Sequence, residues 1–186
     1  MVIDMGAPRL IVISGSASAA SRTRVILEDV AQAIAGRVDI SVGIIDIGEI
    51  ADLLGRTKER QEAPASLLRL LADVEGSDLI LAGAPVYKGS YPGLFKHFID
   101  LIDHRALIGR PVGLIATGGS DRHALVIEHQ LRPLFGFFNA RTLPTGVYVA
   151  NGQHQAGHVT DPQVRARLDA LAAEASAVLG RTRVAA

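Results

Sequence analysis

The segment Asp78 to Ala84 (DLILAGA) is continuously apolar, and Arg9 to Ser14 (RLIVIS) and Pro111 to Thr117 (PVGLIAT) are close to it in character. A strand with one wet face alternates polar and apolar residues. A strand without that alternation needs cover on both faces, as in a parallel sheet packed between layers of helices. Aromatic residues make up only 4% of the chain while hydrophobic residues make up 48%, so the core is built from Val, Ile, Leu and Ala. That palette suits a twice-covered parallel sheet.

The stretches between these runs carry helical spacing. Ser21 to Ala35 places Ile26, Val30, Ala33 and Ile34 on one face and meets Gly36 as a stop. Pro64 can open a helix whose apolar positions include Leu67, Leu68, Leu71 and Val74. Helices are also expected over Pro92 to Asp103 and Arg122 to Phe138, the second interrupted by Pro133. Asp161 and Pro162 form an N-cap and N1 pair before Val164, Leu168, Leu171, Ala175 and Val178, with Gly180 closing that helix. Val38 to Ile47 and Thr142 to Ala150 complete a set of five strands, and Gly48 to Ala63 reads as a solvated, charged loop. Strands alternating with helices give an open, doubly wound α/β sheet, and right-handed crossovers favour the order 2-1-3-4-5.

The 186 residues correspond to a single domain spanning 1–186. Lys plus Arg and Asp plus Glu each number 19, so the charge balance points to no nucleic acid and no membrane surface as partner. With no Cys, disulfides, thiolate metal sites and redox thiols are excluded, and electron chemistry requires a bound cofactor. The apolar run after Arg9 is short for a signal sequence, no run reaches transmembrane length, and the expected location is cytoplasmic. A mean hydropathy of +0.27 is high for a small chain and suggests that a second subunit covers part of the surface.

Three loops follow strands one, three and four, which are neighbours in the order 2-1-3-4-5. Ligands of open α/β sheets bind outside the carboxyl ends of strands at such a switch point. The first loop, Ser14 to Thr23 (SGSASAASRT), offers hydroxyls and Arg22 at a helix start, where backbone N–H groups and the helix dipole favour an anion. It lacks the Gly-Lys-Ser/Thr of a Walker A loop and the three glycines of a dinucleotide fingerprint. A terminal phosphate monoester fits it, and so does an ordinary capped helix. The second loop, Ala84 to Gly93 (APVYKGSYPG), is stiffened by two prolines and presents two tyrosines. It suits the edge of a planar ring, or it is a rigid crossover with packed tyrosines. In the third, Ala116 to His123 (ATGGSDRH), paired glycines allow close backbone approach, and Ser120 or Asp121 can cap the next helix. One crevice with a phosphate end and a planar-ring end describes FMN.

The segments GSASAASRTR, APVYKGSYPGLFKHFIDL and ATGGSDRHALVIEHQLRPLF, within Leu10 to Val149, resemble the NAD(P)H-dependent FMN reductases of bacterial sulfonate- and sulfone-utilisation systems. The resemblance implies a flavodoxin-like homodimer or homotetramer that reduces FMN with NADPH or NADH and hands FMNH₂ to a separate flavin-dependent monooxygenase. By the same resemblance Ser16, Ser18, Ser21, Arg22 and Thr23 hold the phosphate. Pro85, Val86, Tyr87 and Lys88 line the isoalloxazine, and Thr117, Gly118, Gly119 and Ser120 close its other side. Some relatives carry a tyrosine where His129 stands here, associated with a π-bulge at a subunit interface. Pro133 lies four residues beyond His129 and removes a backbone bond there, so a local bend or bulge is expected. Leu125, Ile127, Leu131, Leu134 and Phe138 exceed one stripe, which suggests two buried faces, one on the sheet and one on a second subunit.

Hydride passes from nicotinamide C4 to flavin N5, so no classical catalytic side chain is expected; Lys88 is the charged group nearest in role. Asp103, His104 and Arg105 read as a helix ending, Asp46, Glu49 and Asp52 as a solvated strand end, and His154 and His158 as loop residues without a metal. His97 faces either the core or a partner subunit. Two other readings compete: a bound-FMN reductase of quinones, azo dyes or oxyanions, and a flavodoxin-type electron carrier. The neutral charge argues against the carrier, which docks through an acidic surface.

Overall fold

In the computed structural model, residues 6–18 and 21–182 are described; Ala19 and Ala20 of the first loop lie outside them. Strands β1 (Arg9–Ser14), β2 (Ser41–Asp46), β3 (Leu79–Pro85), β4 (Pro111–Gly118) and β5 (Arg141–Ala150) form a parallel sheet in the order β2-β1-β3-β4-β5. All five strands point the same way, so the carboxyl ends of β1, β3 and β4 stand side by side.

The central strands are buried on both faces, as their lack of alternation requires. Ile11 and Ile13 of β1, Ile80 and Ala82 of β3, and Val112 and Leu114 of β4 face one core. This core is filled by α2 (Ala51–Arg56), α3 (Ala65–Glu75), α4 (Gly93–Asp100) and α5 (Arg132–Gly136). Leu10 and Val12, Leu79 and Leu81, and Ile115 face the other, beneath α1 (Arg22–Ala35) and α6 (Pro162–Thr182). The two-residue period of a strand thus distributes one apolar run over two cores.

Several boundaries differ from the sequence expectation. The span 48–63 is not a bare solvated loop: it holds α2, whose Leu54 is fully buried, and a 3₁₀ turn at Arg60–Glu62. A six-residue helix is too short to display a 3.6-residue period. Helix α4 stops at Asp100 instead of Asp103, because groups from elsewhere take up its end: Arg60 donates to the Leu101 carbonyl at 2.8 Å, and Glu75 accepts from Asp103 N–H at 3.0 Å. Asp103, His104 and Arg105 lie in the turns beyond it. Gly180 does not end α6, which continues to Thr182, whereas Asp161 caps its start by accepting from the N–H of Gln163 and Val164 at 2.8 and 3.0 Å. A small antiparallel hairpin, β6 (His154–Gln155) with β7 (His158–Val159), follows β5. It has no apolar alternation long enough to announce it.

The expected helix from Arg122 to Phe138 is broken into three pieces. A 3₁₀ turn covers Asp121–His123, a π-helix covers Ile127–Leu131 with His129 at its centre, and α5 follows. The expected bulge is therefore present. Pro133 falls in the first turn of α5, where its missing N–H costs nothing. Arg132 anchors the register, donating to Thr142 Oγ1 at 2.7 Å and the Leu143 carbonyl at 3.0 Å on β5, and Ile127 seats where a Gly146 Cβ would otherwise sit. The two expected buried faces are not both realised within the chain. Ile127, Leu131, Leu134 and Phe138 share the sheet-facing core, whereas Leu125 is 62% and the neighbouring Phe137 72% exposed.

Helix α3 provides a direct check of this packing, because adjacent leucines have opposite fates: Leu67 is fully buried and Leu68 is 38% exposed. Leu67→Ala is expected to cost about 2–5 kcal/mol in urea-induced unfolding and Leu68→Ala less than about 1 kcal/mol. Equal losses for the two would place the α3 interface elsewhere.

Candidate functional site

The three loops meet through short-range bonds at the carboxyl edge of the sheet. Gly15 N–H donates to the Gly83 carbonyl at 2.7 Å, joining the first loop to β3. Thr23 Oγ1, in the first turn of α1, and Thr117 Oγ1, at the end of β4, lie 2.7 Å apart and are buried. Thr117 also accepts the Val86 N–H on its carbonyl at 2.7 Å, so one residue ties the first and third loops by its side chain and the second by its backbone.

At the first loop, Ser21 caps α1 by accepting Arg24 N–H on its Oγ at 3.1 Å, which leaves its hydroxyl proton free to donate. Ser16 is buried and its Oγ accepts from Ser18 N–H at 3.1 Å, again keeping a donor in hand. Arg22 is exposed at the first helical position and has no carboxylate partner among the described residues. Ser14 Oγ, at the end of β1, is buried without a hydrogen-bond partner. An orphaned hydroxyl, two capable serine donors, a helix start and an unpaired guanidinium make a chemically apt seat for a phosphate.

The second loop owes its shape to a two-residue reversal. Tyr87 N–H donates to the Ser90 carbonyl at 2.7 Å, Ser90 N–H returns to Tyr87, and Lys88 and Gly89 between them have φ of 51° and 89°. Two positive φ values at the centre of a tight hairpin are the pattern of a type I′ turn, unusual for a lysine. Tyr87 stands 46% exposed at the base of this tip. Ser90 Oγ donates to Gln130 Oε1 at 3.0 Å, linking the tip to the π-helix, and the Tyr91 ring packs on Phe95 with centroids 5.8 Å apart.

The third loop is held from an unexpected direction. Tyr148 of β5 donates its phenolic O–H to the Ser120 carbonyl at 2.6 Å, and its hydroxyl fills the space that a Cβ on Gly118 would need. Gly118 is required by this close approach. Ser120 makes no side-chain cap to the following turn, contrary to expectation, because its peptide is drawn toward Tyr148. Burial, assisted by the Asp121 carboxylate, pushes the Tyr148 phenol above its usual value and keeps its proton.

Two further groups were not anticipated. Asp46 is no solvated strand end: it is buried, accepts Gly48 N–H at 2.8 Å, and receives Arg24 at 3.2 Å. Arg24 also reaches Glu28 at 2.8 Å and Glu49 at 2.5 Å, so one guanidinium pins the β2–α2 turn beside the first loop. His154 lies in the hairpin against α1, where Gly157 crowds Val25. Burial and then the charge of Arg22 hold its imidazole below the usual range. The Gly157 N–H on Nδ1 at 3.3 Å places the proton of the neutral ring on Nε2. His158 pairs with Asp29 at 3.2 Å, and His97 meets the Thr57 carbonyl at 2.6 Å inside the chain. Among the described residues no group of three His, Cys, Asp or Glu side chains is placed to hold a metal, and no helix is long and apolar enough to cross a membrane.

All the expected contact residues therefore gather at one edge. Ser16, Ser18, Ser21 and Arg22 form one end, Pro85, Val86, Tyr87 and Lys88 the next, and Gly118, Gly119 and Ser120 the third side. Thr23 and Thr117 bond each other between them. Tyr148 was the residue missed; its signal was a tyrosine in a chain with only three, on the strand beside β4.

Comparison with known proteins agrees with this geometry. The family described as NADPH-dependent FMN reductase matches residues 8–155. The NADH-dependent FMN reductase SfnF of Pseudomonas fluorescens (strain Pf0-1) is 47% identical over 92% of this chain and 91% of its own length. An FMN reductase (NADPH) of Pseudomonas aeruginosa is 45% identical over the same shares. Among solved structures, an oxidoreductase from Corynebacterium diphtheriae superimposes with a TM-score of 0.84 at 31% identity, covering 94% of this chain and 97% of that one. Fold, loop geometry and these matches lead to one statement: the chain belongs to the NADPH-dependent FMN reductase family.

Proposed function

We propose that this protein, an NAD(P)H:FMN oxidoreductase, releases its product to a separate flavin-dependent monooxygenase of sulfonate or sulfone metabolism, and that residues 1–186 act as one FMN-binding domain. The reading of the site rests on one observation above the others: Thr117 joins the phosphate-type loop and the tyrosine loop at the β1/β3 switch point. In this reading Ser16, Ser18, Ser21, Arg22 and Thr23 hold the FMN phosphate. Pro85, Val86, Tyr87 and Lys88 face Thr117, Gly118, Gly119 and Ser120 across the isoalloxazine, and the Thr23–Thr117 hydrogen bond locks the loops together.

FMN and the nicotinamide carry the electron chemistry when bound. The chain's own task is to stack two rings, exclude water between them, and aim N–H groups at the flavin edge that gains charge. A rigid tyrosine hairpin and a glycine turn are suited to that, and no proton-transferring side chain is assigned. Either nicotinamide serves as donor in this reading, since relatives named for NADH and for NADPH are about equally similar. Steady-state NAD(P)H oxidation with and without added FMN tests the supply role. Turnover should depend on free FMN; turnover independent of it would favour a resident-flavin reductase acting on other acceptors.

Replacing Ser21 and Arg22 with Ala should weaken FMN binding by about 1–3 kcal/mol, the cost of lost hydrogen bonds to a charged group. Riboflavin, which lacks the phosphate, should be affected much less; equal losses for both flavins would move the phosphate elsewhere.

Tyr87→Ala should lower turnover while leaving the thermal midpoint nearly unchanged, since the side chain is 46% exposed. A stability loss of about 3 kcal/mol or more, as for a core aromatic, would show that Tyr87 is a packing residue.

A homo-oligomer, dimer or tetramer, is part of the same proposal. Exposed Phe137 borders a groove of about 830 Å³ whose lining includes Tyr91, Leu101, His129, Pro133 and Leu134, and an isologous contact would cover the apolar residue and the groove together. If His129 tunes assembly through the π-helix, His129→Ala changes oligomer distribution and FMN retention together. Wild-type sizing profile, flavin release and turnover in one preparation would leave His129 a packing residue only.

A further inference from the structure

The turn Gly118 to Ser120 has little of its own to hold it. Ser120 is extended, with φ −156° and ψ 164°, and makes no cap to the next turn. A Cβ on Gly119 would find only Asn151 Nδ2, at 4.0 Å. What fixes the turn is Tyr148, which stands opposite Ala116 on the neighbouring strand and covers Gly118. Its O–H donates to the Ser120 carbonyl at 2.6 Å.

This bond has a chemical direction. The C=O and N–H of a trans peptide point in opposite directions. With the Ser120 carbonyl committed to Tyr148, the N–H of Asp121 is turned away from that residue. A carbonyl aimed at the crevice would repel an electron-rich ring edge, whereas N–H groups stabilise it. The raised phenol retains its donor proton through neutral pH, so the arrangement persists over the working range.

We propose that Tyr148 is a positioning residue for the flavin ring, locking the Ser120–Asp121 peptide so that it offers the Asp121 N–H, not the Ser120 carbonyl, to the isoalloxazine. The proposal rests on the crevice reading above and adds a residue that does not itself touch the flavin. It also separates ring recognition, set from β5, from phosphate recognition, set from α1.

The test is Tyr148→Phe, which keeps the ring over Gly118 and removes one O–H. The Ser120 carbonyl is then left beside solvent, where water replaces the lost bond, so the fold should persist. Binding of FMN and of riboflavin is followed by flavin fluorescence quenching, with the absorption spectrum of the bound flavin and the thermal midpoint recorded on the same samples. Both flavins are expected to bind about three- to tenfold more weakly, the effect of one hydrogen bond. The bound-flavin spectrum should shift and the thermal midpoint stay put. Unchanged affinity and spectrum would overturn the proposal. So would a loss confined to FMN, or a loss matched by a fall in thermal stability. The Ser21 and Arg22 variants, measured alongside, report on the crevice itself: if they bind FMN like the wild type, the site reading fails first, and if they weaken it while Tyr148→Phe does not, only the role of Tyr148 fails.

Discussion

Burial of the central strands on both faces governs this molecule. A strand covered above and below has no wet side to tolerate a polar residue, so β1, β3 and β4 are restricted to aliphatic and small side chains. Parallel pairing then requires each strand to be followed by a crossover on one or other face. Every such crossover begins at the same edge. The chain therefore places its polar, glycine-bearing segments together without any of them being near the others in sequence. Thr23 and Thr117 are 94 positions apart and meet because the sheet delivers them there.

Once gathered, the loops are fixed by polar contacts at the edge of the apolar core. Thr117 ties the three together, Arg24 gathers Asp46 and Glu49 beside the first, and Tyr148 holds the glycine turn of the third from β5. Arg24 and Tyr148 thus order the loops from outside them, which leaves the loops' own donors free.

What could be read from the sequence followed from how strongly each feature is imprinted in local pattern. The sheet order, the ends of α1 and the start of α6 were legible, because apolar periodicity, Ser21, and the Asp161–Pro162 pair are local signals. The bulge near His129 was legible through Pro133 and through the family resemblance at that position. Helix α2 was not, since six residues do not complete two turns, nor was the β6–β7 hairpin. Asp46 and Tyr148 escaped for a different reason: their partners, Arg24 and Ser120, lie 22 and 28 positions away, and no one-dimensional pattern records such a meeting. The three loops were visible, with Thr23 and Thr117 among their residues, and the side chains that hold them from outside, Arg24 and Tyr148, were not.

The packing of α1 has a consequence for how the protein is made. The face of α1 turned toward Leu168, Leu171 and Ala175 is sealed by α6, and the hairpin before α6 closes over its first turns at Val25 and Asp29. Those covering elements are translated more than 130 residues after Ser21. A nascent chain therefore carries its first loop on a helix whose outer apolar surface stays bare until α6 has been made. Long-range closure of this kind is slow and exposes sticky surface on the way. The first loop therefore rests on a helix that is fully packed only after α6 has been made.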